Sequence, residues 1–249
     1  MLEFEQFAVQ PIPVLRPPTG WKSVAICECG EPLVALSVLH HARIMVEPEY
    51  FNKGLAHALE EVYVREGVAH RLAQVASQLP AGYFLLVWDA WRPLAVQQQL
   101  FDAEFQALQE QCPTLAEDEV RRRTEIYVSL PSCDRRRPSP HYTGGAVDLT
   151  LAGPDGRPVP METGFDSFTR QSRTRALEER QEGGEHLSLE EEGWLHNRRL
   201  LYHTMVSCGF TNYCEEWWHF DYGDQFWGKV TATSARYGGI EPVRASASW

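Results

Sequence analysis

The chain lacks anything long and apolar enough to span a bilayer: no run of hydrophobic residues approaches the roughly 18 that a membrane helix needs. Its N-terminus, Met1-Leu2-Glu3-Phe4-Glu5-Gln6, has acid where a secretory signal has basic residues, and no apolar core segment follows, which predicts a cytoplasmic protein without membrane partners. Positive charge is also short. Lys and Arg number 23 against 34 Asp and Glu, and the formal net charge of −11 would repel phosphate backbones, so nucleic acid is excluded as a general partner. Cysteine is sparse, six in 249 residues, and Cys27-Glu28-Cys29 has no second pair at a zinc-finger spacing. A chain of this size needs no disulfide staples, so reduced, structural thiols are expected.

What is present suits one folded domain over 1–249. Residues 1–50 are irregular and proline-rich, with a short apolar stretch at 33–39 that predicts a strand. Helical spacing runs over 55–79 until Pro80-Ala81-Gly82 stops it, and Tyr83 to Trp88 then reads as a strand buried on both faces. The corner Asp89-Ala90-Trp91-Arg92-Pro93 follows, where Arg92 either caps or pairs locally with Asp89 or serves a site. Helices are expected at 94–109, 116–127 and 194–208, the last closed by Gly209. Residues 170–192 hold much of the acid, including Glu178-Glu179 and Glu190-Glu191-Glu192, and read as a mobile, solvated insertion.

The chemistry begins at Ser139-Pro140-His141-Tyr142-Thr143-Gly144-Gly145-Ala146-Val147-Asp148. Imidazole and carboxylate are both good zinc ligands, and a catalytic zinc takes three protein ligands, leaving a position for water. The strand from Ala146 to Leu151 alternates so that Asp148 and Thr150 share one face while Val147, Leu149 and Leu151 share the other. The glycine pair lets the chain turn so that His141 and Asp148 face one point. A third ligand must come from elsewhere, and His219, in an aromatic stretch from Phe210 to Asp221, is either that ligand or a packed, half-buried histidine, with an acid just upstream favouring ligation. Glu215 and Glu216 both offer the carboxylate that a hydrolytic site needs for proton transfer. Strand alternation favours Glu215, whereas Glu216 reaches the site only from a turn or bulge, so spacing leaves the choice open.

Four segments occur here in the order seen in zinc D-alanyl-D-alanine dipeptidases of the vancomycin-resistance and peptidoglycan-recycling type. They are Trp88-Asp89-Ala90-Trp91-Arg92-Pro93, Ser139-x-His141-x-x-Gly144-x-Ala146-x-Asp148, Gly164-Phe165-Asp166 and Glu216-Trp217-Trp218-His219. The resemblance covers roughly 55–222 and includes Asn197-Arg198-Arg199. It implies an α+β fold of the D-Ala-D-Ala metallopeptidase (hedgehog-like) kind, with a central antiparallel sheet carrying one zinc and helices packed against it. It further implies that His141, Asp148 and His219 hold the metal, that Glu216 is the general base, and that Arg92 stabilises the oxyanion. Asp166 would then recognise the ammonium of a free dipeptide, and Ser139 would line the substrate pocket. Glu162 stands where the family favours glycine, and is expected to narrow the pocket or change its charge.

Three readings follow. The first is a zinc dipeptidase cleaving D-alanyl-D-alanine to two D-alanines. The second keeps the site but acts as a D,D- or L,D-carboxypeptidase on longer muropeptides. The third is a catalytically silent zinc module, which would need neither Glu216 nor Arg92. Monomer and homodimer are both compatible with the sequence.

Overall fold

The computed structural model describes residues 6–242, so the Met1 to Glu5 part of the signal-peptide reading lies outside the described residues. In chain order the elements are β1 (Leu33–Ala35), β2 (Ile44–Val46), the one-turn helix α1 (Glu49–Asn52), β3 (Tyr63–Arg65), α2 (Glu66–Gln78), β4 (Phe84–Asp89), α3 (Leu94–Gln111), α4 (Glu117–Tyr127), β5 (Ala146–Ala152), α5 (Ala176–Glu182), α6 (Leu189–Ser207), β6 (Thr211–Asn212), β7 (His219–Asp221) and α7 (Gln225–Thr231). Five strands form the main sheet in the order β2-β4-β5-β7-β6. It is antiparallel except at one edge, where β2 runs parallel to β4. The α+β class follows from strands that carry one buried apolar face and helices that cover it.

That face is built from the odd residues of β5. Val147, Leu149 and Leu151 join Val68, Leu72 and Val75 of α2 and Leu201 and Met205 of α6 in one apolar cluster. The other face, carrying Asp148, is walled by α3 and α4 around a cavity. Strand β5 is buried along its whole length, and β4 beside it is buried at all but its ends, as a central pair flanked by packing on both sides must be.

Several local expectations are corrected. The helix read over 55–79 begins only at Glu66. Val62, Tyr63 and Val64 favour extended backbone, and Tyr63–Arg65 pairs with Leu33–Ala35 in a separate two-stranded sheet. The strand expected at 33–39 lasts three residues before a 3-10 turn, Leu36–Leu39. Helix α6 starts five residues early, at Leu189, because Ser188 and Glu191 form a reciprocal capping box. Residues 170–192 are more than a solvated loop: α5 buries Leu177 completely, and arginines pair with several of the acids. Glu178 accepts from Arg199 at 2.6 Å and from the Ile12 amide at 2.8 Å, which also pins the N-terminal segment. Among the described residues, no helix is long and apolar enough to cross a membrane.

The two glycines before β5 do different work. Gly144 ends the 3-10 turn Pro140–Thr143 at φ 70°, a conformation most side chains resist. Gly145 has ordinary φ but no room: a Cβ there would lie 2.6 Å from the Tyr222 carbonyl oxygen. Gly145→Ala is therefore expected to destabilise the fold by about 1–3 kcal/mol through overpacking, read as a lower midpoint in thermal or urea unfolding.

Candidate active site

Sheet register assembles the centre of the site. Asp148 on β5 stands opposite His219 on β7 and, across the other neighbour, opposite Asp89 on β4, so three ionisable groups share one row. His141 enters from the 3-10 turn that Gly144 closes. Its Nε2 lies 3.2 Å from His219 Nδ1 and 3.4 Å from Asp148 Oδ2, and His219 Nδ1 lies 3.0 Å from Asp148 Oδ1. Candidate ligand atoms of all three residues fall within 4.8 Å of one another, and all three residues are buried.

The far nitrogens of both rings are already engaged. His141 Nδ1 meets the Ala90 carbonyl at 2.8 Å, and His219 Nε2 meets Asp221 Oδ1 at 2.9 Å. With protons on those atoms, Nε2 of His141 and Nδ1 of His219 turn their lone pairs toward Asp148. Two imidazole nitrogens and one carboxylate, each backed by a second hydrogen-bond partner, are the donor set of an open zinc site. The residues therefore fit the metal.

The charges are strongly shaped by burial. Burial pushes the His141 pKa well down, helped by the Arg92 guanidinium. Burial acts the same way on His219, but Asp221 and Asp148 outweigh it and raise its pKa well above the ordinary value. Asp148 is pulled down despite burial, by the two histidines and Arg92. Asp89 is pushed up to about 7, chiefly by burial.

Arg92 does what the sequence left as alternatives: it pairs with Asp89 and it lines the cavity. Its Nε donates to Asp89, one Nη1 proton goes to Gln97, and Nη2 serves Tyr50 and Asp148. Of its five N–H groups, one on Nη1 has no partner among the described residues.

A turn decides which of the two adjacent glutamates lines the cavity. Residues 213–218 leave the strand between β6 and β7, and Asn212 stitches the excursion by donating to the carbonyls of Glu216 and His219. Glu216 thereby lines the cavity, with Oε2 3.9 Å from His219 Nδ1 and Oε1 buried without a hydrogen-bond partner among the described residues. Burial, with Asp148 and Asp166 nearby, pushes its pKa well up. Glu215 faces away and pairs with Arg173 at 3.4 Å.

Two more expected residues reach the same 320 Å³ cavity. Ser139 is 3% exposed, and its Oγ is buried and unpaired among the described residues. Asp166 sits at φ 58°, in a left-handed conformation that aspartate tolerates better than most residues. Burial and the Asp148 charge raise its pKa to about 6. Lys53 Nζ approaches its Oδ2 at 3.9 Å. Glu162, in contrast, neither narrows the pocket nor changes its charge. It lies outside the cavity lining and pairs with Arg198 at 3.2 Å and Arg180 at 3.6 Å. Buried Arg198 in turn holds the Met161, Gln171 and Arg173 carbonyls, fixing the loop that carries Asp166.

Sequence reading missed Tyr50, Gln97 and Asp221. Asp221 was accessible in principle, since it is two residues from His219 on one strand face. Gln97 follows Arg92 by one helical turn plus one residue and had no distinguishing signal, and Tyr50 comes from a segment whose chemistry was silent.

A family model described as D-ala-D-ala dipeptidase matches residues 52–236, so that Tyr50 lies just outside the matched stretch. A D-alanyl-D-alanine dipeptidase of Synechocystis sp. is 32% identical over 216 residues, spanning 82% of this chain and 87% of its own length. Proteins of the same name from Enterococcus faecium and Escherichia coli are 31% and 28% identical, over 58% and 57% of this chain and 64% and 56% of theirs. A solved vancomycin-resistance D,D-pentapeptidase, VanY, in complex with Zn(II), superposes at a TM-score of 0.40 over 73% of this chain and 84% of that one, with 14% identity.

Proposed function

The chain belongs to the D-alanyl-D-alanine dipeptidase family of zinc metallopeptidases, and from that premise we propose that it hydrolyses free D-alanyl-D-alanine to two D-alanines. The observation that carries the reading is the buried, unpaired Glu216 Oε1 in the same cavity as the metal-ligand trio, Arg92 and Asp166. A structural metal site has no use for such a carboxylate, which counts against a silent module.

His141, Asp148 and His219 would hold one zinc per chain. When bound, zinc supplies a Lewis acid that polarises the scissile carbonyl and makes water acidic enough to attack at neutral pH. Glu216 takes the proton of the attacking water on its free oxygen and passes it to the leaving amine. Its raised pKa suits a group that must both accept and return a proton. Arg92 offers its uncommitted Nη1 proton to the developing oxyanion, from a fork already locked by Asp89, Gln97 and Asp148, so little reorganisation is needed. Asp166 receives the substrate ammonium, as it already faces the Lys53 ammonium, and the Ser139 hydroxyl is free to bond the peptide. The cytoplasm is the compartment this reading implies, since free D,D-dipeptide precedes wall assembly.

A second reading has one observation behind it. Beyond Asp166 the cleft continues into a 420 Å³ hollow lined by Phe168, Tyr127, Glu104, Leu108 and Arg123, room that an N-terminally extended peptide would use. The two substrates separate the readings. If Asp166 binds a free ammonium, N-acetyl-D-alanyl-D-alanine should be cleaved at least about a hundredfold less efficiently than the free dipeptide, because a buried carboxylate would lose its charged partner. Equal kcat/KM values for the two would instead establish a carboxypeptidase.

A further inference from the structure

Tyr50 is contributed by α1, in the N-terminal segment, yet it is 5% exposed and lines the cavity beside Arg92 and Asp166. Its hydroxyl donates to Asp166 Oδ1 at 3.3 Å and accepts from Arg92 Nη2 at the same distance. The ring packs against Phe165, next to Asp166, with centroids 5.8 Å apart, and lies 4.9 Å from the Arg92 guanidinium carbon.

The two partners depend on this hydroxyl unequally. Arg92 is also held by Asp89, Gln97 and Asp148, whereas the salt-bridge partner of Asp166 is Lys53, at 3.9 Å, itself shared with Glu49 at 3.2 Å. Asp166 stands on a left-handed backbone in a loop, so its carboxylate direction is set by what bonds it. We propose that Tyr50 is a positioning residue for ammonium recognition: its hydroxyl fixes Asp166 Oδ1 and aims the carboxylate at the N-terminus of a dipeptide, in register with Arg92 at the scissile carbonyl. Lys53 lies on the other oxygen and competes for the same carboxylate when that hydroxyl is lost. The inference rests on the dipeptidase reading for the identity of the ammonium.

Tyr50→Phe removes one oxygen and keeps the ring packing. In the zinc-loaded full chain, the variant is expected to raise KM for D-alanyl-D-alanine about tenfold, the worth of a hydrogen bond to a charged group, with kcat within about threefold. The preference for free over N-acetylated dipeptide should narrow in proportion. An unchanged KM overturns the proposal, and so does a loss confined to kcat, which would place the hydroxyl's effect on Arg92 alone. Crystal structures of the parent and the variant give a readout independent of turnover: the Asp166 carboxylate should swing toward Lys53, and one that keeps its position refutes the claim. A parent inert toward every free dipeptide would sink the dipeptidase reading on that result alone, while the carboxylate position would still decide the role of Tyr50.

Discussion

Glu216→Gln is expected to bind zinc as the parent does while hydrolysis of D-alanyl-D-alanine falls by about a hundred- to ten-thousandfold, the usual worth of a general acid-base group. The expectation has two halves, and the geometry supports each. Glu216 is not one of the three residues whose ligand atoms cluster. An isosteric amide should therefore leave metal affinity nearly intact. The same substitution removes the basic oxygen, and three neighbouring carboxylates are engaged elsewhere: Glu215 is turned to Arg173, Asp148 is between the histidines, and Asp166 is bonded to Tyr50. Zinc content by metal analysis and single-turnover rates on the same preparation test both halves. Undiminished hydrolysis would remove Glu216 from the mechanism, and lost zinc would make it a ligand.

Why the sequence could name Glu216 only through family resemblance is a matter of local geometry. A period-2 pattern assigns faces only while the strand continues, and here the chain leaves the sheet at 213 and returns at 219. The adjacent Trp217 and Trp218 are both nearly fully buried, which an ordinary half-exposed strand does not allow, and in hindsight that pair marks the turn. His141 and Asp148 were legible for the opposite reason. They sit seven residues apart around a glycine pair whose steric demands are written in the sequence, and β5 alternates without interruption. The helix at 55–79 failed over its first eleven residues because pairing of Tyr63–Arg65 with a strand some thirty residues earlier overrode a helical period. Tyr50, Gln97 and the Glu162–Arg198 pair depend on contacts far apart in sequence or on one rotamer, and no spacing rule reaches them.

Removing zinc should abolish hydrolysis and lower the thermal midpoint together. Asp148, Asp166, Glu216, Glu104 and Glu125 line the cavity, and among its described lining residues Arg92 is the only Arg or Lys. Arg92 is itself spread across Asp89 and Asp148. A divalent cation between His141, Asp148 and His219 offsets that imbalance and binds the folded chain alone, since the trio is brought together from the 3-10 turn, β5 and β7 only by folding. Linkage then sets the scale. Free zinc at a thousandfold its dissociation constant stabilises the fold by about 4 kcal/mol, which for a chain of this size moves the midpoint by roughly 8–16 °C. Re-addition should restore activity and midpoint at one equivalent of zinc, because the donor atoms form one cluster. Magnesium should restore neither, since it prefers octahedral oxygen ligands to two imidazoles. Calorimetry and activity on one chelator-treated sample settle the point: binding well below one equivalent after reconstitution, or a midpoint indifferent to zinc, would disprove that these three residues form the metal site.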